Sequence, residues 1–248
     1  MKFFVYPYRY ECDNAIMLKN RLGGMRIKLE DSSYQMKDDH VIVNWGNSKC
    51  PYSGSRVINQ PAAVEQAVHK LRAFDLLRSN YIPTVPTTTR KEIADIWLQR
   101  GDKVIGRQLL KSNNGKGIVW YDGNNGEGIK FYSRFIPSTG EFRVNVYRGR
   151  LISSRIKAKL PNMPDNDIKS GLNGYVFRPL PPQLEAQVGE QIGMLASQAI
   201  LALDLDFGGV DILYSPTYGP LVIEVNTAPE LQGAAMDRLA NYIKQDYQ

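Results

Sequence analysis

The chain has 248 residues, of which 43% are hydrophobic and 23% charged, and a formal net charge of +6. That length buries a substantial core, as one large domain or a few subdomains, and no apolar run approaches the roughly 20 residues of a membrane span. The basic balance favours anionic partners (nucleotide, phosphate, acidic peptide or nucleic acid), although the basic residues are spread along the chain rather than gathered in a tail.

The N-terminal segment MKFFVYPYRYECD turns polar too early for a secretory signal, so a soluble, cytoplasmic protein with no membrane association is expected. Cys12 and Cys50 allow at most one bridge and lack the paired spacing of a zinc site, which makes free thiols the expectation. KFFVYPY reads as a strand, CDNAIMLKNRLG as a helix stopped by two glycines, and RIKL and HVIVNWG as further strands. Strand, helix, strand, strand over about fifty residues makes a small α/β layer. The polar end of VIVNWGNS, from Asn44 to Ser48, lies where open α/β sheets bind ligands, or is a polar turn after a buried strand. Arg56, a little farther on, is a second candidate for the border of a substrate site.

NQPAAVEQAVHKLRAFDLLRSN has proline near its start and apolar residues three and four apart, which predicts one helix. YIPTVPTTT cannot continue it, because its prolines force an extended crossing segment, and a boundary is placed near residue 80. A helix over RKEIADIWLQRG precedes a β-rich region: KVIGRQLL, GIVWYDG, GIKFYSRFI and EFRVNVYRGRLISSRIKAK. PPQLEAQVGEQIGMLASQAILALDLD restores a long amphipathic helix.

The loop in LLKSNNGKGIVW carries Gly115, Lys116 and Gly117, a composition that suits a phosphate cradle or simply a flexible hairpin. It is not a Walker loop, since the spacing and the Lys-Ser/Thr ending are absent. Alternation puts Glu141 and Arg143 on one face of a strand and Phe142 and Val144 on the other. Arg155, Lys157 and Lys159 likewise share a side, as phosphate-facing residues or as edge-strand gatekeepers. Near the C-terminus, GGVDILY and PLVIEVN flank the turn-rich SPTYGP, and even pairing about that turn sets Tyr214 against Leu221 and Asp211 against Glu224. Glu224 and Asn226 share a side of their strand. Two carboxylates face to face demand a shared proton, a basic partner or a cation, and carboxylates with an amide oxygen suit magnesium.

Taken in order, Lys70 on a helix, IPTVPT, the glycine loop, FYSRFI, EFRVNV, FGGVDILY and PLVIEVNTAPEL resemble the ATP-grasp superfamily across nearly the whole chain. The likeness extends to short stand-alone ATP-grasp proteins of tailed phages, which would place the protein in a host cytoplasm, and more distantly to ribosomal-protein glutamate ligase. The resemblance implies an α+β ATP-grasp fold, two subdomains clasping ATP over residues 81–248, preceded by a small α/β domain with its connecting helix over 1–80. It implies ATP and Mg2+ as cofactors, with Asp211, Glu224 and Asn226 as metal ligands. It assigns ATP contacts to Lys70, Arg107, Gly115, Lys116, Gly117, Arg134, Phe135, Ile136, Glu141 and Arg143, with the backbone around Arg134 to Ile136 as the adenine hinge. Lys157 or Arg155 would meet the terminal phosphate, and Asn173 in GLNGYVF would add a substrate or phosphate contact.

The sequence departs from the family at two points. Arg107 stands where many relatives carry lysine, a planar fork for a point charge, and Glu230 stands in APEL where relatives read proline-glycine-leucine, in a loop that borders the acceptor. The activity implied is an ADP-forming ligase joining a small-molecule or peptide carboxylate to an amine. The alternatives are an ATP-grasp kinase and a non-catalytic nucleotide- or nucleic-acid-binding module. Nucleic acid is the less favoured partner, because the acidic metal ligands are retained.

Overall fold

The computed structural model describes residues 1–111 and 115–247. Among these residues three sheets carry the fold. The first is built from β1 (Lys2–Pro7), β2 (Met25–Arg26), β3 (His40–Trp45) and β4 (Val57–Ile58), with helix α1 (Asp13–Leu22) joining β1 to β2. All of its pairs are parallel, in the order β2-β1-β3-β4. The continuous apolar run of β3 follows from burial on both faces. One face packs on α1. The other is covered by irregular chain, since Ile27, Leu29, Tyr34 and Met36 cluster with Phe4, Tyr6 and Ile42. This duty limits the strand expected over RIKL to Met25–Arg26: beyond it the chain leaves the sheet edge to roof that face.

The single helix expected around residues 59–80 is two, α2 (Pro61–Val68) and α3 (Lys70–Ser79). His69 between them is extended, with φ −93° and ψ 100°, and its ring accepts a hydrogen bond from the Arg72 amide. The Lys70 amide donates to the Leu110 carbonyl at 3.2 Å rather than back along a helix. Apolar periodicity does not report such a break, because the groups that leave the helical ladder find partners far away in sequence. Both helices pack on the C-terminal part of the molecule, where Ala63, Val64, Ala67, Ala73 and Leu77 join one core with residues of the long helix described below.

The second sheet, antiparallel in the order β5-β8-β6-β7, comprises β5 (Thr87–Thr88), β6 (Val104–Arg107), β7 (Ile118–Tyr121) and β8 (Phe131–Arg134). Helix α4 (Lys91–Gln99) covers it through Ala94, Trp97 and Leu98. The third sheet is the largest: β9 (Gly140–Tyr147), β10 (Arg150–Lys159), β11 (Tyr175–Pro179), β12 (Phe207–Ser215) and β13 (Gly219–Asn226), in the order β11-β10-β9-β12-β13. Helix α5 (Pro182–Ala202) packs on one face of it against Phe142, Val144, Val146, Val210, Ile212, Val222 and Val225. The remaining helix, α6 (Ala234–Asp246), docks on the N-terminal layer, with Leu239 and Ile243 in one core with Leu18, Val43 and Trp45. Strand β11 and helix α6 are absent from the sequence reading. YVFRP lacks alternation, and α6 follows directly on the segment in which metal ligands draw attention.

Asn59 fastens the N-terminal layer to the third sheet. It is fully buried in the left-handed region, φ +60°, and its side chain donates to the Phe207 carbonyl at 2.9 Å while accepting from the Asp206 and Phe207 amides. Asn59→Ala strands those three backbone groups and forces a Cβ without polar compensation into a left-handed conformation. The expected loss is about 4 kcal/mol. Asn59→Gly loses the same bonds but tolerates the backbone, so chemical denaturation should find it roughly 1 kcal/mol more stable than the alanine variant.

Candidate active site

The face of the third sheet opposite α5 looks onto the second sheet, and its residues form a grid set by strand register. One row runs Arg155 (β10), Arg143 (β9), Asp211 (β12), Glu224 (β13), each directly opposite the next. Two residues along one way lie Glu141 and Leu213, with Leu221 opposite Leu213. Two residues along the other way lie Ser153, Asn145, Gly209 and Asn226. The pairing of Asp211 with Glu224 is as the sequence predicts, but the route to it differs. Tyr214 faces Pro220, not Leu221, and a bulge at Ile223 restores the register. Bulges cluster next to active sites because they re-aim side chains, and this one turns Ile223 and Glu224 to the same side.

The two juxtaposed carboxylates are compensated by basic partners. Arg143 grips Asp211 with both ends of its fork, Nε to Oδ1 at 2.6 Å and Nη2 to Oδ2 at 2.7 Å. The pair is largely buried, with 17% and 7% of the two side chains exposed. Burial pulls the Arg143 guanidinium downward, but the Asp211 carboxylate outweighs it and holds Arg143 above its ordinary pKa. Glu224 is held by Lys70 from α3 at 2.5 Å. Glu141 receives Lys157 at 2.7 Å, and the same ammonium donates to the Lys169 carbonyl at 2.7 Å.

Arg143, Asp211, Glu224, Glu141 and Lys157 line a cleft of about 470 Å³ between the second and third sheets, within the size range of small-molecule sites; Lys70 and Asn226 do not. Arg107, Gly115, Arg134, Phe135, Ile136, Glu141, Arg143, Arg155, Lys157, Asp211 and Glu224 all face it. Arg107 enters from β6, with its Nε shielded from solvent and without a hydrogen-bond partner. Burial pushes its pKa down, while Glu224 and Glu141 pull it up. A cation so placed suits an anionic ligand. Val85, Ile136 and Leu213, which share one apolar cluster, and Ile105 give the cleft an apolar lining. A smaller cavity of about 250 Å³ shares Ile223 and Glu224 with the cleft and is bordered by Tyr8, Gly46, Lys70, Asn226 and Thr227.

Other residues singled out from sequence sit elsewhere. Asn173 belongs to a short turn, Gly171–Asn173, where its amide donates to the Ile168 carbonyl at 2.6 Å. It holds that loop and does not line the cleft. Lys116 is exposed and Gly117 packs near Leu109, so neither lines the cleft; residues 112–114 of that loop lie outside the described residues. Asn44 is buried, spending its amide on the Asn47 and Asn59 carbonyls, and of its segment Gly46 reaches the smaller cavity. Arg56 donates to the Met1 sulfur and borders neither cavity. Lys159 pairs with Asp165. Sequence reading missed Phe177, Asp167 and Ser170, which line the cleft from β11 and the loop before it.

The donor set fits magnesium in kind. Asp211 and Glu224 offer oxygens, and the Asn226 Nδ2 turns to the Gly209 carbonyl at 3.5 Å, leaving Oδ1 for another partner. No group of three or more His, Cys, Asp or Glu that could hold a metal ion gathers among the described residues. Glycine is required beside this donor set. A Cβ on Gly209 would meet Asn145 Oδ1 at 2.7 Å and Pro229 Cβ at 2.9 Å, so the loop after Asn226 closes over the grid only because that position lacks a side chain.

No family model matches the chain. Among curated proteins it is 26% identical over 236 residues to a probable alpha-L-glutamate ligase 2 of Hahella chejuensis, covering 84% of this chain and 74% of that protein. It is also 26% identical over 194 residues to a probable alpha-L-glutamate ligase of Aeromonas salmonicida, of whose length the match spans 61% and of this chain 71%. Among solved structures it superposes on the ATP-grasp ligase PsnB complexed with minimal precursor, with a TM-score of 0.70 at 12% identity and 99% coverage of both chains. The fold is therefore ATP-grasp, as the order of motifs implies. No helix among the described residues is long and apolar enough to cross a membrane.

Arg143→Met leaves Asp211 buried and uncompensated, which costs about 3–5 kcal/mol when one partner of a buried pair is lost. Chemical denaturation should show that loss, and magnesium should recover part of it in Arg143→Met while leaving the wild type little changed.

Proposed function

We propose that the protein is an ADP-forming ligase that joins a carboxylate to an amine at the expense of ATP. The observation that carries this reading is the row Arg155, Arg143, Asp211, Glu224, in which two cations stand next to two carboxylates along one wall of the cleft, the charges that a nucleoside triphosphate and its metal require. The likeness to curated glutamate ligases supports an amino acid or peptide among the substrates. The resemblance to short phage-encoded ATP-grasp proteins rests on the motifs alone.

In this reading the adenine lies against the apolar lining of Val85, Ile105, Ile136 and Leu213, with the backbone of Arg134 to Ile136 at its edge. Arg107 takes phosphate oxygens with its fork, a bidentate geometry that lysine cannot reproduce. Asp211, Glu224 and Asn226 would hold magnesium, which when bound would neutralise charge on the phosphates. Lys70 and Arg143, freed from their carboxylates, and Lys157 and Arg155 orient the terminal phosphoryl group. The substrate carboxylate attacks that phosphorus, the bond to ADP breaks, and an acylphosphate forms. The amine then attacks the acyl carbon, phosphate departs, and the ammonium proton is lost to give the amide. Gly115 and Ser170, close enough that a Cβ on Gly115 would lie 2.8 Å from the Ser170 Cβ, bring two loops together over the cleft and keep water from the acylphosphate. The smaller cavity, which shares Glu224, lies where an acceptor can approach.

The test is ADP and phosphate release from Mg·ATP with pooled amino acids and peptides. ADP release should require both a carboxylate and an amine, and phosphate should be released with it. A phosphorylated product formed without phosphate release would replace the ligase with a kinase. Asp211→Asn and Glu224→Gln should each lower turnover by about a thousandfold, the several kcal/mol that metal-held charge supplies; Asp211→Asn should also lower the melting temperature, because it leaves Arg143 without its buried carboxylate. Unaltered turnover in either variant would remove the metal assignment.

A further inference from the structure

Phe177 is a residue of the cleft that neither the motifs nor the chemistry above employs. It stands on β11 opposite Lys157 of β10, and its ring meets two cations at once. The Arg143 guanidinium carbon lies 4.2 Å from the ring centroid and the Lys157 ammonium 5.2 Å, both within the range of cation–π attraction. The ring reaches across β10 to touch a side chain of β9, while Arg143 and Lys157 each hold a carboxylate with their polar ends: Asp211 and Glu141. Phe177 and both cations line the cleft.

A carboxylate gripped at both oxygens by a guanidinium fork has two of its roughly four lone-pair sites taken, which narrows the directions left for a metal ion. Where Asp211 turns to magnesium and Arg143 to phosphate, the long basic side chain without an anchor would spread over many rotamers. Phe177 supplies the anchor. A face of π electrons attracts a cation whichever anion the polar end bonds, so the ring retains Arg143 and Lys157 in the cleft while their partners change.

We propose that Phe177 is a positioning residue that holds Arg143 and Lys157 on the terminal phosphoryl group once the nucleotide and magnesium displace them from Asp211 and Glu141, and that it thereby sets the preference for nucleoside triphosphate over diphosphate. This rests on the reading of the cleft as an Mg·ATP site. Because the ring acts only through the two cations facing the last phosphate, its removal should weaken triphosphate binding selectively.

The experiment is calorimetric titration of the full-length wild type, Phe177→Leu and Phe177→Tyr with Mg·AMPPNP and with Mg·ADP. Phe177→Leu keeps an apolar side chain of similar reach and removes the π face. It should weaken Mg·AMPPNP about tenfold, equivalent to ~1.4 kcal/mol, and change Mg·ADP less than about twofold. Phe177→Tyr keeps the ring and should bind both nucleotides as the wild type does. Equal weakening of both nucleotides in Phe177→Leu, or failure of Phe177→Tyr to restore triphosphate binding, would reduce Phe177 to a packing residue and overturn the proposal, as would unchanged binding of both nucleotides by Phe177→Leu. Failure of the wild type to bind either nucleotide would instead remove the Mg·ATP reading itself.

Discussion

Asp211 and Glu224 are held opposite each other on adjacent antiparallel strands, and the rest of the cleft answers to that juxtaposition. Like charges so placed repel, and Asp211 is nearly buried, so neither carboxylate is tolerable without compensation. The molecule supplies it from different elements: Arg143 from the neighbouring strand of the same sheet, Lys70 from a helix that breaks at His69. Both compensating groups are long, flexible cations, and both can exchange a carboxylate for a phosphate. The arrangement compensates both carboxylates as it stands, and in the proposed reading the same cations turn to a metal-bound triphosphate.

Several local features read as consequences. The bulge at Ile223 sets the register that brings Glu224 opposite Asp211, although the turn alone would offset it by one residue. The paired glycines before Asp211 serve different faces. Gly208 lets α5 approach, since a Cβ there would lie 2.7 Å from the Ile200 Cδ1, and Gly209 lets the loop after Asn226 close down. The N-terminal layer is tied to the same strand end through Asn59, which bonds the backbone at Asp206 and Phe207 four to five residues before Asp211. The scaffold therefore fixes the root of β12 from one side and its partner strand from the other.

Much of this was legible in the sequence where a pattern has a short period. Alternation in EFRVNV separated Glu141 and Arg143 from Phe142 and Val144, and the grid preserves that separation. The hairpin turn predicted the carboxylate pair, and the order of motifs predicted the fold. What stayed hidden depends on contacts between segments distant in sequence. The helix break at His69 follows from bonds to Leu110 and Glu224. Asn173 looks like a ligand beside two glycines, but a neighbouring carbonyl claims it. Phe177 lies in a strand without alternation, and its role appears only once β11 is placed two strands from Arg143.

In the proposed reading the two carboxylates accept a nucleotide by exchanging their basic partners for a metal. Calorimetric titration of the wild-type protein with ATP, in magnesium and in excess chelator, tests it most directly. ATP should bind at least about tenfold more tightly with magnesium, because the metal offsets the charge that Asp211 and Glu224 present once Arg143 and Lys70 turn to phosphate. Equal affinity in chelator would mean that the carboxylates keep their basic partners when ATP is bound, and would contradict the account.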